Sequence, residues 1–213
     1  MFDTRPGSGV ARSWRRATLT IAALLGFAAE AGAHAAFSDG ADSLSINVFS
    51  GAAHPFVVMH HLIALIAAGL LIGRQQIQSL ERAWAFGLAG LIAGIVLAKQ
   101  LPEQPMMILV LALTVICSLV VILDWRKSRL VFMLAVGLIP FLVGLDSPPA
   151  PDSSLGHDLT SRFGTVLGAG ALLFYPAMLA HSVTQPWHLI GVRIAASWIT
   201  AISLLVLALQ FAR

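Results

Sequence analysis

One cysteine, one tyrosine and very little charge are the first features of this chain of 213 residues. Because Cys117 stands alone inside an apolar stretch, neither an intrachain disulfide framework nor a thiolate metal cluster can be built. Charged residues make up 11% of the chain, against roughly 25% in a soluble domain, while 58% is hydrophobic. That balance excludes a water-soluble globular fold and makes the chain an integral membrane protein. Enzyme signatures are absent as well: there is no Gly-x-Ser-x-Gly elbow, no Walker loop, no His-Glu-x-x-His and no pair of carboxylates within an apolar run. The formal charge of +3 does not point to nucleic acid, since Arg5, Arg12, Arg15 and Arg16 all precede the first apolar stretch.

What is present begins with the three parts of a secretory signal: basic "RSWRR", apolar "ATLTIAALLGFAA" and small-residue "EAGAHA". Cleavage after Ala33 leaves His34 as the new N-terminal residue, whereas cleavage after Ala35 removes it. Both satisfy the small-residue rule, and an uncleaved anchor helix is the other reading of this stretch. Residues 1–33 are thus expected to be a signal peptide, 34–52 a polar periplasmic segment, and 53–213 a transmembrane helical domain.

Apolar runs separated by charge or proline define an all-α, polytopic bundle of about six spans, roughly Phe56–Gly73, Trp84–Ala98, Pro105–Leu123, Leu130–Leu145, Phe163–Val183 and Ile190–Phe211. Arg74, Arg82, Arg126, Lys127, Arg129 and Arg193 fall on one side of such a bundle, and Lys99, Arg162 and Arg213 on the other. The excess of basic residues marks the cytoplasmic side, which puts the mature N-terminus and the C-terminus in the periplasm of a bacterial inner membrane. The loop "DSPPAPDSSLGHDLTS" at 146–161, acidic and without Lys or Arg, is then periplasmic. Apart from lipid, the small-residue pairs Gly90/Gly94 and Gly164/Gly168, with Gly170, mark close helix contacts, either within one subunit or in a homo-oligomer. Pro140 and Pro176 interrupt the fourth and fifth spans and free backbone carbonyls there.

The chemistry concentrates in "HPFVVMHH", His54 to His61. Pro55 suits the first turn of a helix, which sets His54 at the periplasmic mouth and His60 and His61 deeper. On an ideal helix His54 and His61 share a face and lie about 10 Å apart along the axis, with His60 rotated by roughly 100°. That separation is too long for one ion unless the first turn unwinds. Three imidazoles at the lipid boundary are costly without a role, so the stretch points to a metal or proton pathway. A nitrogen-rich donor set suits nickel, cobalt, copper or zinc. His181 and His188, the latter in "TQPWHLIG", are weaker candidates for an exit site, and Met59 is a soft donor beside His60.

"AHPFVVMHHLIALIAAGLLIG" resembles the first-helix signature of the HupE/UreJ proteins, whose pattern is approximately HPxxGxDHxxxxxxxG. His54, Pro55, His61 and Gly69 match it in order, while Val58 replaces its Gly and His60 its Asp. The resemblance implies a hydrogenase or urease accessory membrane protein of nickel-permease type, with a transition metal taken from the periplasmic side. The family's later motif, His-rich and ending in Gly-x-Glu, corresponds to "IPFLVGLD" at 139–146, which keeps Gly144 and an acid at Asp146 but has Phe141 and Val143 where histidines are expected. The resemblance therefore implies ligands at His54, His60, His61 and Asp146, joined by His34 from the N-terminus and by His157, beside Asp158, from the acidic loop. A non-transporting subunit that binds a partner membrane complex is the alternative it leaves open.

Overall fold

The computed structural model describes residues 44–74, 80–98, 106–125, 132–147 and 155–212. The signal-peptide reading, His34 and most of the polar segment lie outside them. Among the described residues the structure is all α: α1 (Leu44–Val57), α2 (Met59–Arg74), α3 (Leu80–Ala98), α4 (Met107–Ile122), a π-helical stretch (Leu134–Leu138) running into α5 (Ile139–Leu145), α6 (Leu155–Ser182) and α7 (Pro186–Phe211). α6 and α7 are each long and apolar enough to cross a membrane, and α1 with α2 passes the same test as a pair bent by 78°. Three shorter apolar helices, Arg82–Ala98, Met107–Ile122 and Ala135–Leu145, accompany them.

Residues 44–52, read from composition as part of the polar segment 34–52, are helical. Tertiary packing overrides their Ser, Asn and Gly content, because α1 lays Val48, Gly51 and Ala52 against Ser161, Gly164 and Gly168 of α6. The backbones touch so closely that a methyl group on Gly164 would come within 2.8 Å of the Ala52 nitrogen. α2 continues in the same direction: Gly69 faces the Leu173 carbonyl and Gly73 the Ala177 carbonyl. Contacts therefore advance along α6 from residue 161 to residue 177 as the chain passes through α1 and α2. The bent pair progresses like a single broken span, since a re-entrant loop would double back.

The same logic orders the other helices. Gly87, Gly90 and Gly94 of α3 meet Val136, Gly137 and Phe141, and Gly144 meets Leu91 and Ile95, so α3 and α5 run parallel. α4 and α7 run antiparallel, with Ser118 bonded to Thr200 at 2.7 Å and Asp124 facing Arg193 at 3.7 Å. Arg74 and Asp124, 2.9 Å apart, bring the C-terminal ends of α2 and α4 together. At the opposite end Arg162 of α6 donates to the Ile95 carbonyl of α3 at 2.6 Å. The glycine pairs seen in the sequence thus serve contacts inside the subunit. α2 sits at the centre, with Ala64, Leu65, Ala67 and Ala68 wholly shielded.

Glycine in mid-helix costs about 1 kcal/mol relative to alanine, and only close approach justifies it. Gly94→Ala drives a methyl into the Phe141 backbone, whereas Gly191 on α7 has open space around it. Thermal melts of the purified protein in detergent should show Gly94→Ala losing several degrees and Gly191→Ala unchanged or slightly raised; equal behaviour would refute this packing.

Candidate metal centre

The site is built around a proline. Pro55 has no N–H, so the Gly51 carbonyl one turn earlier has no helical donor. Thr165 of α6 reaches it instead, its one hydroxyl hydrogen shared between the Gly51 oxygen at 3.2 Å and the Ser161 oxygen of its own helix at 3.1 Å. Contrary to the sequence expectation, Pro55 does not open a helix but lies in the last turn of α1. The chain then turns by 78° between α1 and α2, and Val58 keeps a bond on either side, its N–H to the His54 carbonyl at 3.1 Å and its carbonyl to Leu62 N–H at 3.0 Å.

The turn changes the histidine geometry. On a straight helix His54 and His61 would be about 10 Å apart along the axis; here their rings are 5.5 Å apart, centroid to centroid. His60 and His61 lie edge to face at 4.5 Å. Both reach the same carboxylate: Nε2 of His60 is 2.7 Å and Nε2 of His61 3.0 Å from Oδ2 of Asp146. Asp146 terminates α5, its N–H bonded to the Leu142 carbonyl at 2.9 Å, and Gly144 presses that helix end against α3. A carboxylate only accepts, so both imidazoles carry their hydrogen on Nε2 in this arrangement.

Two ring nitrogens have no partner although both are buried, Nδ1 of His61 and Nε2 of His54. His61 is 1% exposed, and an unpaired buried polar atom costs about 1–3 kcal/mol. His60, His61 and Asp146 each offer one ligand atom, all within 4.8 Å of one another. Ligands on a tetrahedral ion with bonds near 2.1 Å are about 3.4 Å apart. The two observed N···O distances, 2.7 and 3.0 Å, are about 0.7 and 0.4 Å short of that edge.

The remaining sequence candidates are placed elsewhere. His157 is half-buried in the first turn of α6 and is not among the three grouped ligand atoms; Asp158 beside it is paired with Arg162 at 2.6 Å. His181 is exposed at the end of α6, and His188 lies against Trp187 with ring centroids 3.5 Å apart. Met59 is 56% exposed and turned out of the cluster. Val143 is fully buried, so it contributes bulk where the resemblance led one to expect a ligand. Sequence reading missed Thr165, whose only signal was a hydroxyl among the small residues of "RFGTVLGAG". It also missed Asp124, the only acidic residue between Glu103 and Asp146.

A broken apolar helix bearing imidazoles, closed by a carboxylate from a second helix, defines a membrane protein with a polar cluster at one end of its bundle. A model of the HupE / UreJ protein family matches residues 22–209, and the chain belongs to that family. The family is associated with hydrogenase and urease accessory roles and with nickel-related membrane function. No curated protein and no solved structure matches the chain.

If Thr165 holds the break, Thr165→Val should destabilise the protein by about 1 kcal/mol, a fall of roughly 2–4 °C in melting temperature for a chain of this size. Thr165→Ser, which keeps the hydroxyl, should melt near the wild type. Indistinguishable Val and Ser variants would remove Thr165 from the account.

Proposed function

We propose that this protein is a six-span permease-like protein of the bacterial inner membrane that admits a divalent transition metal from the periplasmic side. Nickel is the ion the family points to, and cobalt, copper and zinc are chemically admissible competitors for the same donors. The observation that carries the reading is the convergence of His60, His61 and Asp146 within 4.8 Å at a break in an otherwise apolar helix. The direction of each helix contact supports six alternating spans: the first and fifth parallel, the second and fourth parallel, the third and sixth antiparallel. Arg74 and Arg193 share the end remote from the histidines, as the charge asymmetry requires of a cytoplasmic side.

In this reading the ion is substrate. His54, nearest the polar segment, receives it with the free Nε2. His61 and Asp146 replace its lost water with one imidazole and one negative charge, and His60 adds a second nitrogen. An ion entering lipid without such replacement would face a prohibitive desolvation cost. No ATP-binding loop is present in the sequence, so passage is downhill or coupled to another gradient. A second reading, a non-transporting membrane subunit that binds a partner complex, draws on Phe141 and Val143, which are apolar where the family's later motif carries histidine.

The test is uptake of radioactive nickel by cells expressing wild type, His54→Ala, His60→Asp and His61→Ala at matched membrane levels, with nickel-dependent melting of each purified protein. A ligand at a hundred times its Kd adds about 2.7 kcal/mol of stability. His61→Ala should abolish both uptake and the melting shift, because its buried nitrogen has no substitute. His54→Ala should weaken uptake less, and His60→Asp should move preference toward harder ions. Near-normal uptake in all three would sink the permease reading, and copurification with a membrane complex would then favour the second.

A further inference from the structure

Away from the histidines, α4 ends in a double closure: Trp125 N–H bonds the Val120 carbonyl at 3.1 Å and Asp124 N–H that of Val121 at 3.2 Å. The motif forces residue 124 into the left-handed region, with φ of 50°, a position that glycine or asparagine ordinarily fills. Among the described residues Asp124 is the only non-glycine with positive φ. What the aspartate provides there is a carboxylate between two cations from other helices, Arg74 at 2.9 Å and Arg193 at 3.7 Å. The ends of α2 and α4 are thereby tied to α7, about two turns inside its start at Pro186.

α2 connects this point to the histidine cluster. It begins with His60 and His61 and ends with Arg74, a rod about 20 Å long at 1.5 Å per residue. It is buried along most of its length and pressed backbone to backbone on α6 at Gly69 and Gly73, so it shifts as a body more readily than it bends. Were an ion to draw His60, His61 and Asp146 into one coordination shell, a helix that moves as a body would carry any shift of its first end to the arginine at its last. Partly buried ion pairs between packed helices have two discrete arrangements, made or broken, and not a continuum.

We propose that Arg74, Asp124 and Arg193 form an ionic latch that closes the end of the bundle remote from the histidine cluster, and that α2 transmits ion occupancy to it. The latch as gate rests on the uptake reading above; the latch as closure does not.

Cys117 provides the assay. It is the chain's only cysteine, lies on α4 two turns before Asp124, and is 1% exposed, so its thiol reports opening of this end. The purified full-length protein in detergent is treated with N-ethylmaleimide, and the rate of Cys117 labelling is followed without metal. Asp124→Gly keeps the left-handed turn and removes only the carboxylate. It should label about tenfold faster than wild type, as expected for loss of a partly buried pair that holds a local closure, with no fall in melting temperature. Arg74→Gln should also label faster. If Asp124 serves only to end the helix, Asp124→Gly labels at the wild-type rate, and that result overturns the latch. In the second arm nickel chloride is added: faster labelling in wild type but not in His61→Ala supports transmission through α2. Nickel that raises the melting temperature yet leaves Cys117 labelling unchanged overturns transmission. Because the first arm contains no metal, its outcome is separate from that of the uptake experiment.

Discussion

In an apolar medium every backbone carbonyl has to find a donor within the protein, and Pro55 removes the one that would serve Gly51. The features of the site follow from how that deficit is met. Thr165 makes the missing bond from α6, which lets α1 end and α2 begin at a sharp angle without leaving the Gly51 carbonyl unpaired. At that angle residues 54 and 61, which a straight helix would hold two turns apart, bring their rings to 5.5 Å. The cluster is therefore a product of the break, and the Thr165 hydroxyl, shared with Ser161, is the donor that faces the Gly51 carbonyl left over by the proline.

The partner that closes the cluster arrives by a different route. Asp146 reaches His60 and His61 because α5 lies parallel to α3, held there by glycines on both helices that allow their backbones to touch. Lipid competes as well as protein for apolar side chains, so such contacts depend on fit and on the absence of side chains. Pro140, two residues after the π-helical stretch, cannot donate to the Val136 carbonyl, which Gly87 approaches closely: a methyl there would lie 3.1 Å from it.

The membrane class and the family were legible in the sequence, and so were His54, His60, His61 and Asp146 as residues to watch, because each is written locally, in hydropathy or in a short motif; the structure brings those four close together. The meaning of Pro55 was not. Its place in the last turn of α1 depends on residues 44–52 being helical, and that depends on Ser161, Gly164 and Gly168 a hundred residues away. The ideal-helix distance between His54 and His61 failed for the same reason, since periodicity assumes an unbroken axis. His157 looked available by composition, but it sits on the first turn of a helix whose direction is set by α1, α2 and α3. Long-range backbone fit decided each of these, and no window of sequence contains it.

α2 is the element on which both ends of the bundle depend. Its first residues are held through the broken turn and Asp146, and its last through Arg74 and Asp124. Between them its side chains are mostly Ala, Leu and Ile, and it touches α6 through glycines, with no side-chain hydrogen bond recorded along that stretch among the described residues. Its polar bonds are thus confined to its two ends, with close backbone contact on α6 at Gly69 and Gly73 between them. On the uptake reading proposed above, an ion would need two ends that open in turn, and a helix with polar anchors at its termini is placed to link them.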